Sequence, residues 1–276
     1  MVYFYLIAAG ALLPILNNFF PIFEKGYSWW LAPILYVVFL FGLMLIQIGL
    51  MFLVFAVVSP NSTSKGATKF YRFMVKYSLP LIIWLAKVKI NVTGIDPDDV
   101  PKDRKMLFVC NHQHDFDPAV IFSVFPDNEI GFIGKKDIIK KLPFIAKIMK
   151  LLGGLFIDRE NDREAAKTII EATRILKEEK SSIGLFPEGY TSKTCELLPF
   201  RNGGFKMALK AKVPIVVCVI NNTRAIPKRM CRLTTKVDFK IVDVIYPEAF
   251  EGMNTAELGD MIHEKMENAY NEIRNR

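Results

Sequence analysis

Hydrophobic residues are distributed unevenly along the chain, in one long run near its start and in short runs after Lys89. From Trp29 to Val58 no residue is charged, and only Gln47 is clearly polar. A helix made from this run is long enough to cross a hydrocarbon core of about 30 Å. We therefore predict a transmembrane helix within Trp29–Val58.

An earlier apolar run, Val2–Phe23, is less regular. Proline and polar residues interrupt it, namely Pro14, Asn17, Asn18 and Pro21. The run is compatible with a second span, an arm of a re-entrant hairpin, or a helix in the membrane interface. A cleaved signal peptide is disfavoured, because the run lacks a basic start and the longer apolar run follows almost at once. We expect residues 1–60 to form a retained membrane anchor of one or two helices.

Cations and aromatic residues follow this anchor at helical spacing. One helical face carries four cations, Lys65, Lys69, Arg72 and Lys76. The other side carries Phe70, Phe73, Met74 and Tyr77. We interpret residues 61–90 as basic amphipathic helices that lie on anionic lipid, with a solvated charged face as the alternative. The excess of Lys and Arg after Val58 predicts that this end of the span faces the cytoplasm.

Short apolar runs recur in the remainder of the chain. The first, Met106–Cys110, is bounded by charge before it and by Asn111 after it. This pattern is typical of a strand that is buried on both faces of a parallel sheet. Similar runs are Ile130–Ile133, Ile183–Phe186 and Ile215–Ile220, and Val237–Ile245 alternates like a strand near a sheet edge.

Helical patterns separate these runs. Asn161 and Glu164 fit a capping box that opens a helix through Lys177, and a single apolar stripe follows Thr255 to the end of the chain. Strands that alternate with helices predict an α/β fold over residues 91–276, with a mostly parallel sheet flanked by helices. The N-terminal hydrophobic, membrane-anchoring helical region precedes it.

The segment Lys135–Leu152 has a second basic, amphipathic pattern. Pro143 is expected to break it into two helices. Its cations share one face, namely Lys136, Lys140, Lys147 and Lys150. Its apolar residues lie opposite, namely Ile138, Ile139, Leu142, Ile145 and Met149. Contact with lipid and ordinary packing on the sheet are both compatible with this pattern.

Overall composition agrees with a membrane protein. Hydrophobic residues make up 51% of the chain and the mean hydropathy is +0.25, both high for a purely soluble protein. The net charge of +8 suits nucleic acid, a membrane surface or an acidic substrate, but cations placed beside the anchor favour the membrane, so no nucleic-acid partner is predicted. The cysteines show no metal-like spacing and indicate a reducing compartment: Cys110, Cys195, Cys218 and Cys231.

Candidate chemistry follows the first predicted strand. Ligands of an open α/β sheet bind beyond the carboxyl ends of its strands, and His112 lies just past Cys110. Asp117 can turn back and accept a hydrogen bond from one ring nitrogen, which leaves the other nitrogen free to take a proton. We predict a general base, His112, with Asp117 as the residue that orients it.

Three other interpretations compete with this one. The two residues can be a plain satisfied polar pair. A metallohydrolase site would use His112, His114, Asp115 and Asp117, but one further histidine, His263, leaves it short of ligands. A serine hydrolase needs a Gly-x-Ser-x-Gly elbow, which the chain lacks. The base is therefore expected to activate a hydroxyl of the substrate.

Four segments resemble the motifs of the glycerolipid acyltransferase family, the family of 1-acylglycerol-3-phosphate acyltransferase. They occur in the family's order and cover roughly Lys89–Ile220. They are Asn111-His112 with Asp117, Gly154-Leu155-Phe156-Ile157-Asp158-Arg159, Leu185-Phe186-Pro187-Glu188-Gly189, and Val213-Pro214-Ile215-Val216.

The resemblance implies transfer of a fatty acyl group to the sn-2 hydroxyl of lysophosphatidic acid, giving phosphatidic acid. The donor would be a thioester of coenzyme A or acyl carrier protein, and no cofactor or metal is expected. His112 and Asp117 would be catalytic. Arg159 would bind the acceptor's phosphate, with an ion pair to Asp158 or Glu160 as its alternative role. Glu188 would accept hydrogen bonds from acceptor hydroxyls, and Gly189 would let substrate approach, unless both merely form a strand-ending turn.

One departure from the family affects the expected acceptor. The family continues its third motif as Glu-Gly-Thr-Arg-Ser, whereas this chain has Tyr190-Thr191-Ser192 after Gly189. Lys193 or Arg201 can supply the missing charge. By similarity, Lys135 is a candidate for stabilising the thioester oxyanion. Other acceptors stay open, namely glycerol 3-phosphate, another lysophospholipid or a lipid amine head group, as does a membrane adaptor without catalysis, with a metal-dependent hydrolase last.

Overall fold

The computed structural model describes residues 2–19, 30–57, 69–192 and 194–274. The chain divides into two compact units, Met1–Val58 and Ser59–Arg276. Several expectations apply to residues outside these ranges, namely residues 20–23, Trp29, Val58, Lys65 and Lys193.

The first unit contains two apolar helices, α1 (Val2–Phe19) and α2 (Leu31–Val57). At a rise of 1.5 Å per residue, α2 is roughly 40 Å long, which exceeds the hydrocarbon core. Among the described residues it is the one helix long and apolar enough to cross a membrane. The hydroxyl of Tyr36 donates to the carbonyl of Leu6 at 3.2 Å, so the two helices are in contact.

The second unit is built on a seven-stranded sheet with the order β1-β7-β6-β2-β5-β3-β4. The five strands from β6 to β4 are parallel, whereas β7 runs antiparallel to β6 and pairs with β1 in parallel. The strands are β1 (Val88–Gly94), β2 (Leu107–Cys110), β3 (Ile130–Lys135), β4 (Leu155–Ile157), β5 (Ser182–Leu185), β6 (Ile215–Asn221) and β7 (Thr235–Ile245).

Helices cover both faces of this sheet. They are α3 (Lys69–Leu85), α4 (Asp117–Val124), α5 (Ile138–Lys141), α6 (Pro143–Leu151), α7 (Asp162–Lys177), α8 (Lys206–Ala211), α9 (Ile226–Arg229) and α10 (Thr255–Arg274). One core lies between the sheet and α7, α8 and α10, and the other lies between the sheet and α3 and α4. The α/β fold with a mostly parallel sheet is therefore confirmed.

The central strands were predicted from their continuous apolar runs, and the outer ones were partly missed. No strand was predicted for β1 or β4, which lie at the two edges. The alternating strand β7 lies one position in from an edge, because β1 covers it. The strand β1 begins at Val88, and the second compact unit begins at Ser59.

Part of the cationic face predicted for α3 contacts the protein itself. Arg72 donates to the Ser181 hydroxyl at 2.9 Å, and the partly exposed Lys76 pairs with Asp127. Met74, which was expected on the aromatic side, is buried. The exposed residues of α3 include Lys69 and three aromatic residues, Phe70, Phe73 and Trp84, of which each aromatic is more than half exposed.

The helix of the second basic segment breaks at Pro143, as predicted, into α5 and α6. Ala146 and Leu151 are buried, so part of α6 packs on the rest of the unit. Ile139, Leu142 and Ile145 are each more than two fifths exposed. Both packing on the protein and an outward apolar surface therefore occur in this segment.

Candidate active site

The loop after β2 carries the predicted catalytic pair, and Asn111 anchors it. The side-chain amide of Asn111 donates to the carbonyl of Ile220 at 2.9 Å and accepts from the amide of Ile220 at 2.8 Å. This double contact joins the ends of β2 and β6. Pro118, in the first turn of α4, suits a helix start, because its missing N–H would have no partner there. Asp117 thus begins α4 directly opposite the end of β2.

His112 and Asp117 form the predicted contact. Nδ1 of His112 lies 2.8 Å from Oδ2 of Asp117, whose side chain is fully buried. The same oxygen accepts from the amides of Gln113 at 2.6 Å and His114 at 2.9 Å. The hydroxyl of Thr223 donates to Oδ1. These four contacts fix the carboxylate and direct His112 Nε2 away from it.

The His112 ring is held from one side by Phe186. The two rings stack with centroids 4.2 Å apart and an angle of 15° between their planes. Phe186 in turn stacks on Phe132 at 5.5 Å. Because stacking fixes the plane of the ring and Asp117 fixes its rotation, His112 is positioned before any substrate arrives.

Glu188 supports the same loop from the end of β5. Its Oε1 accepts from the amide of His112 at 2.9 Å, and its Oε2 accepts from the amide of Leu198 at 3.3 Å. Burial raises the pKa of Glu188 to about 7, although the two amide contacts oppose the rise. The side chain is 3% exposed. Its observed contacts are therefore to the main chain, and a contact to acceptor hydroxyls stays a prediction.

A cavity of about 750 Å³ lies between α7 and the ends of β4 and β5. Most of its wall is apolar, including Ile133, Ile157, Ala166, Ile169, Leu185 and Phe186. His112 does not line this cavity itself. The Phe186 ring connects the two, because it forms part of the wall and stacks on His112.

Two arginines that line this cavity, Arg159 and Arg201, both contact the ring of Tyr190. The guanidinium carbons of Arg159 and Arg201 lie 5.5 Å and 5.1 Å from the centroid of the Tyr190 ring. Arg201 also donates to the Tyr190 hydroxyl at 3.1 Å. Burial and then the charge of Arg201 lower the pKa of Arg159. We call Arg159, Tyr190 and Arg201 the cationic mouth.

The cationic mouth lacks carboxylate partners within the described ranges. The alternative ion pair of Arg159 with Asp158 or Glu160 does not form there, since Asp158 instead pairs with Lys136 at 3.4 Å. Two neighbouring like charges without an anion are unfavourable. The mouth is therefore chemically suited to an anionic ligand.

Gly189 and Lys135 flank the cationic mouth. Gly189 has φ +76°, and a Cβ there would lie 3.1 Å from Cδ of Arg201. Glycine therefore permits both the turn and the close approach of Arg201. Lys135 pairs with Asp137 at 2.8 Å, a contact that raises the pKa of Lys135. Its predicted contact with a thioester oxyanion would require that ion pair to open.

The residues of the competing metal interpretation have local contacts. In the part of the chain that the structure describes, no three potential ligands cluster. Nδ1 of His114 accepts from the amide of Phe116 at 3.3 Å, and the two rings stack. Asp115 is exposed.

Comparisons with known proteins agree with this geometry. The acyltransferase family profile matches residues 89–221, a range that contains the His112–Asp117 pair and the cationic mouth. A 1-acyl-sn-glycerol-3-phosphate acyltransferase from Haemophilus influenzae is 30% identical over 178 residues, which cover 63% of this chain and 73% of the relative. The chain belongs to the acyltransferase family.

Other relatives extend the comparison. A 1-acyl-sn-glycerol-3-phosphate acyltransferase from Saccharomyces cerevisiae is 29% identical over 173 residues, which cover 62% of this chain and 56% of that protein. The crystal structure of the 1-acyl-sn-glycerophosphate (LPA) acyltransferase PlsC from Thermotoga maritima has the same fold, with a TM-score of 0.60 at 23% identity. The match covers 83% of this chain and 88% of that one. The chain thus spans between about half and three quarters of the curated relatives cited.

Several site residues of this family member were not predicted from the sequence. Thr223 was missed, although its place just past β6 put it at the same sheet edge as His112. Gln113 was also missed. Its side-chain amide donates to the Tyr270 hydroxyl at 2.7 Å, and that hydroxyl donates to the carbonyl of Cys195. Tyr190 was noted as a departure from the motif but not as a partner of two arginines.

Proposed function

We propose that this chain transfers a fatty acyl group from a thioester to the sn-2 hydroxyl of lysophosphatidic acid and forms phosphatidic acid. The observation that carries the proposal is the His112–Asp117 pair, fixed at the sheet edge near the cationic mouth. The relatives are named for the same acceptor, which supports this proposal. The donor is a thioester of coenzyme A or of acyl carrier protein.

The reaction needs one base and no covalent enzyme intermediate. Nε2 of His112 removes the proton of the acceptor hydroxyl while its oxygen attacks the thioester carbon. Asp117 steadies the imidazolium that forms. The tetrahedral intermediate collapses, the carbon–sulfur bond breaks, and the thiolate takes the proton from His112. The products are the ester and the free thiol of the carrier.

The acceptor's phosphate binds in the cationic mouth. Arg159 and Arg201 present forked donors that match phosphate oxygens, and an anion between them relieves their repulsion. Arg201 takes the place of the arginine that the third motif lacks, since Tyr190 holds its guanidinium beside Arg159. Lys135 contributes positive potential nearby, and Gly189 leaves room for Arg201.

We also propose a membrane setting for this reaction. The helix α2 anchors residues 1–60, residues 61–90 contact the bilayer surface, and residues 91–276 carry the chemistry on the cytoplasmic face. The exposed aromatic side of α3 supports the second part of this division, because aromatic rings favour the membrane interface. A lipid acceptor would then reach His112 without leaving the bilayer surface.

The decisive test is acyl transfer by the full-length chain in detergent–lipid micelles. Wild type is assayed with lysophosphatidic acid, glycerol 3-phosphate and other lysophospholipids, each with both thioester donors. His112→Ala should lower kcat for the best acceptor by about 10²-fold or more. The matched control is His114→Asn, which keeps an acceptor for the Phe116 amide and should retain activity.

The outcomes separate the alternatives. Preference for another acceptor would replace lysophosphatidic acid within the same reaction type. A folded wild-type chain that acylates no acceptor would favour the membrane adaptor. Normal activity of His112→Ala would refute the assignment of the base.

A further inference from the structure

The turn that follows β6 brings a buried hydroxyl to the catalytic pair. Asn222 adopts a left-handed conformation with φ 71°, and a short 3-10 turn, Thr223–Ala225, begins directly after it. Thr223 is 0% exposed, and its hydroxyl donates to Oδ1 of Asp117. The strand β6 pairs with β2 through Cys110 and Cys218, so the ends of both strands lie side by side. Thr223 thus contacts the carboxylate on the oxygen opposite His112.

The contact from Thr223 to Oδ1 restricts a rotation of the Asp117 side chain that the main chain does not fix. A carboxylate rotates about its Cβ–Cγ bond, and Oδ2 of Asp117 has to face both His112 Nδ1 and two amides. A buried Oδ1 without a donor would lose a hydrogen bond at a site that water does not reach, which is costly. Rotation or a shift of the α4 start would then regain a partner for Oδ1 and spoil the alignment of Oδ2.

We infer that Thr223 is a positioning residue of this reaction, which holds Asp117 so that His112 keeps the orientation and tautomer of a general base. The inference rests on the proposed function for its kinetic consequences. Its structural part, a hydroxyl that fixes the Asp117–His112 contact, is independent of which acceptor is used.

Loss of the hydroxyl also has an electrostatic consequence. Once Oδ2 turns away from Nδ1, the protonated His112 ring loses its hydrogen-bonded counter-charge, so the protonated ring is less favoured in the variant than in wild type. Other charged or titratable groups near the pair stay in place in the variant: Cys110 in β2, Glu188 after β5, Cys218 in β6, Arg224 after β6 and Tyr270 on α10.

The experiment compares three substitutions in the full-length protein. Thr223→Val keeps the shape and removes the donor, Thr223→Ser keeps the donor, and Thr235→Val is the matched control. Thr235 is also 0% exposed, but its hydroxyl makes no hydrogen bond to the described residues. Thr223→Val should lower kcat by about 10- to 100-fold with little change in either KM. Thr223→Ser and Thr235→Val should stay near wild type.

Two further readouts keep the inference testable. The acid limb of the pH–rate profile should move to lower pH in Thr223→Val and stay in place in Thr235→Val. NMR of histidine-labelled protein follows the His112 signal with pH and needs no turnover, so it still decides the matter if the proposed activity is absent. Assignment is simple because the chain has 3 histidines.

The inference is overturned if Thr223→Val has wild-type kcat, or if its His112 signal titrates as in wild type. It is also overturned if Thr223→Val and Thr235→Val lose activity equally, because that would indicate a general packing effect. If Thr223→Val does not fold, Thr223→Cys replaces it, since a thiol is close in size and a weak donor. The kcat of Thr223→Cys should be lower than that of Thr223→Ser, because the thiol is the weaker donor. A wild-type kcat in Thr223→Cys would contradict the inference.

Discussion

The His112–Asp117 pair and the cationic mouth differ in how far the protein itself satisfies their polar groups. Asp117 is fully buried, and its oxygens accept contacts from His112, two amides and Thr223. Arg159 and Arg201 share the ring of Tyr190, which is 51% exposed, and have no carboxylate partner within the described ranges. The protein itself supplies the hydrogen-bond partners of Asp117, whereas the two arginines lack a counter-charge among the described residues.

This difference matches the proposed roles of the two regions. A general base gains from being held in place before substrate binds, because no reorganisation is then needed in the transition state. A binding site gains from charges that only the ligand satisfies, because the protein then does not compete with it. The pair should therefore control kcat, and the mouth should control affinity for the acceptor.

The largest effect is expected from breaking the pair. Asp117→Asn replaces an acceptor oxygen by an amide donor and favours the wrong His112 tautomer, so kcat should fall by about 10³- to 10⁴-fold. The measurement is acyl transfer at saturating lysophosphatidic acid. Asp115→Asn is the control, because Asp115 lies in the same loop and is exposed. A loss of similar size in both variants would argue against a special role for Asp117.

The completed region was also the more predictable one. The apolar run before Asn111 fixed where β2 ends, and parallel strands place their functional residues beyond that end. His112 and Asp117 are only five positions apart, so their contact follows from local chain geometry. Thr223 comes from another strand, and a single sequence does not show which strand neighbours β2.

Long-range ion pairs of α3 could not be predicted from its sequence. The spacing of Arg72 and Lys76 indicated a cationic face, and this periodicity is real. The periodicity did not show that Arg72 and Lys76 pair with Glu129 and Asp127, which lie more than fifty residues later in the chain. Periodicity identifies the faces of a helix, but the direction of each face depends on tertiary partners. The contact of Tyr190 with Arg159 and Arg201 was hidden for the same reason.

A smaller effect is expected from changing the cationic mouth. Arg201→Ala removes one phosphate donor and the hydrogen bond to Tyr190, so it should lower kcat/KM for lysophosphatidic acid by about 10- to 100-fold, mainly through KM. The neutral acceptor 1-acylglycerol should be used as well as before. Arg174→Ala is the matched control. Arg174 lines the same cavity, but Glu171 and Glu178 already hold it.

The opposite pattern would remove the contrast between the two regions. If Arg201→Ala lowers kcat with both acceptors and leaves KM unchanged, the arginine acts in the chemical step. If Arg174→Ala has the same effect as Arg201→Ala, the cavity acts through its overall charge and not through the paired geometry at Tyr190.

The smallest effect is expected at Glu188, which touches both regions through the His112 amide and the adjoining Gly189. Burial raises the pKa of Glu188 from its ordinary 4.5 to about 7. Between pH 4.5 and about 7, Glu188 therefore stays protonated in the folded protein but is ionised in the unfolded chain. The contribution of Glu188 to the free energy of unfolding is therefore greatest below its pKa in the unfolded chain. That contribution is lost as pH rises through its pKa in the folded protein. For this one group the loss between pH 5 and 7.5 is about 2 kcal/mol.

Glu188→Gln tests this dependence, since its amide stays neutral. Thermal or denaturant unfolding of the variant should vary less with pH over that window than unfolding of wild type. Glu196→Gln, on an exposed part of the same loop, should keep the wild-type slope. An unchanged slope in Glu188→Gln would show that the carboxyl is already ionised in the fold at pH 5. The His112 loop would then be held by a buried carboxylate ion that accepts from two main-chain amides.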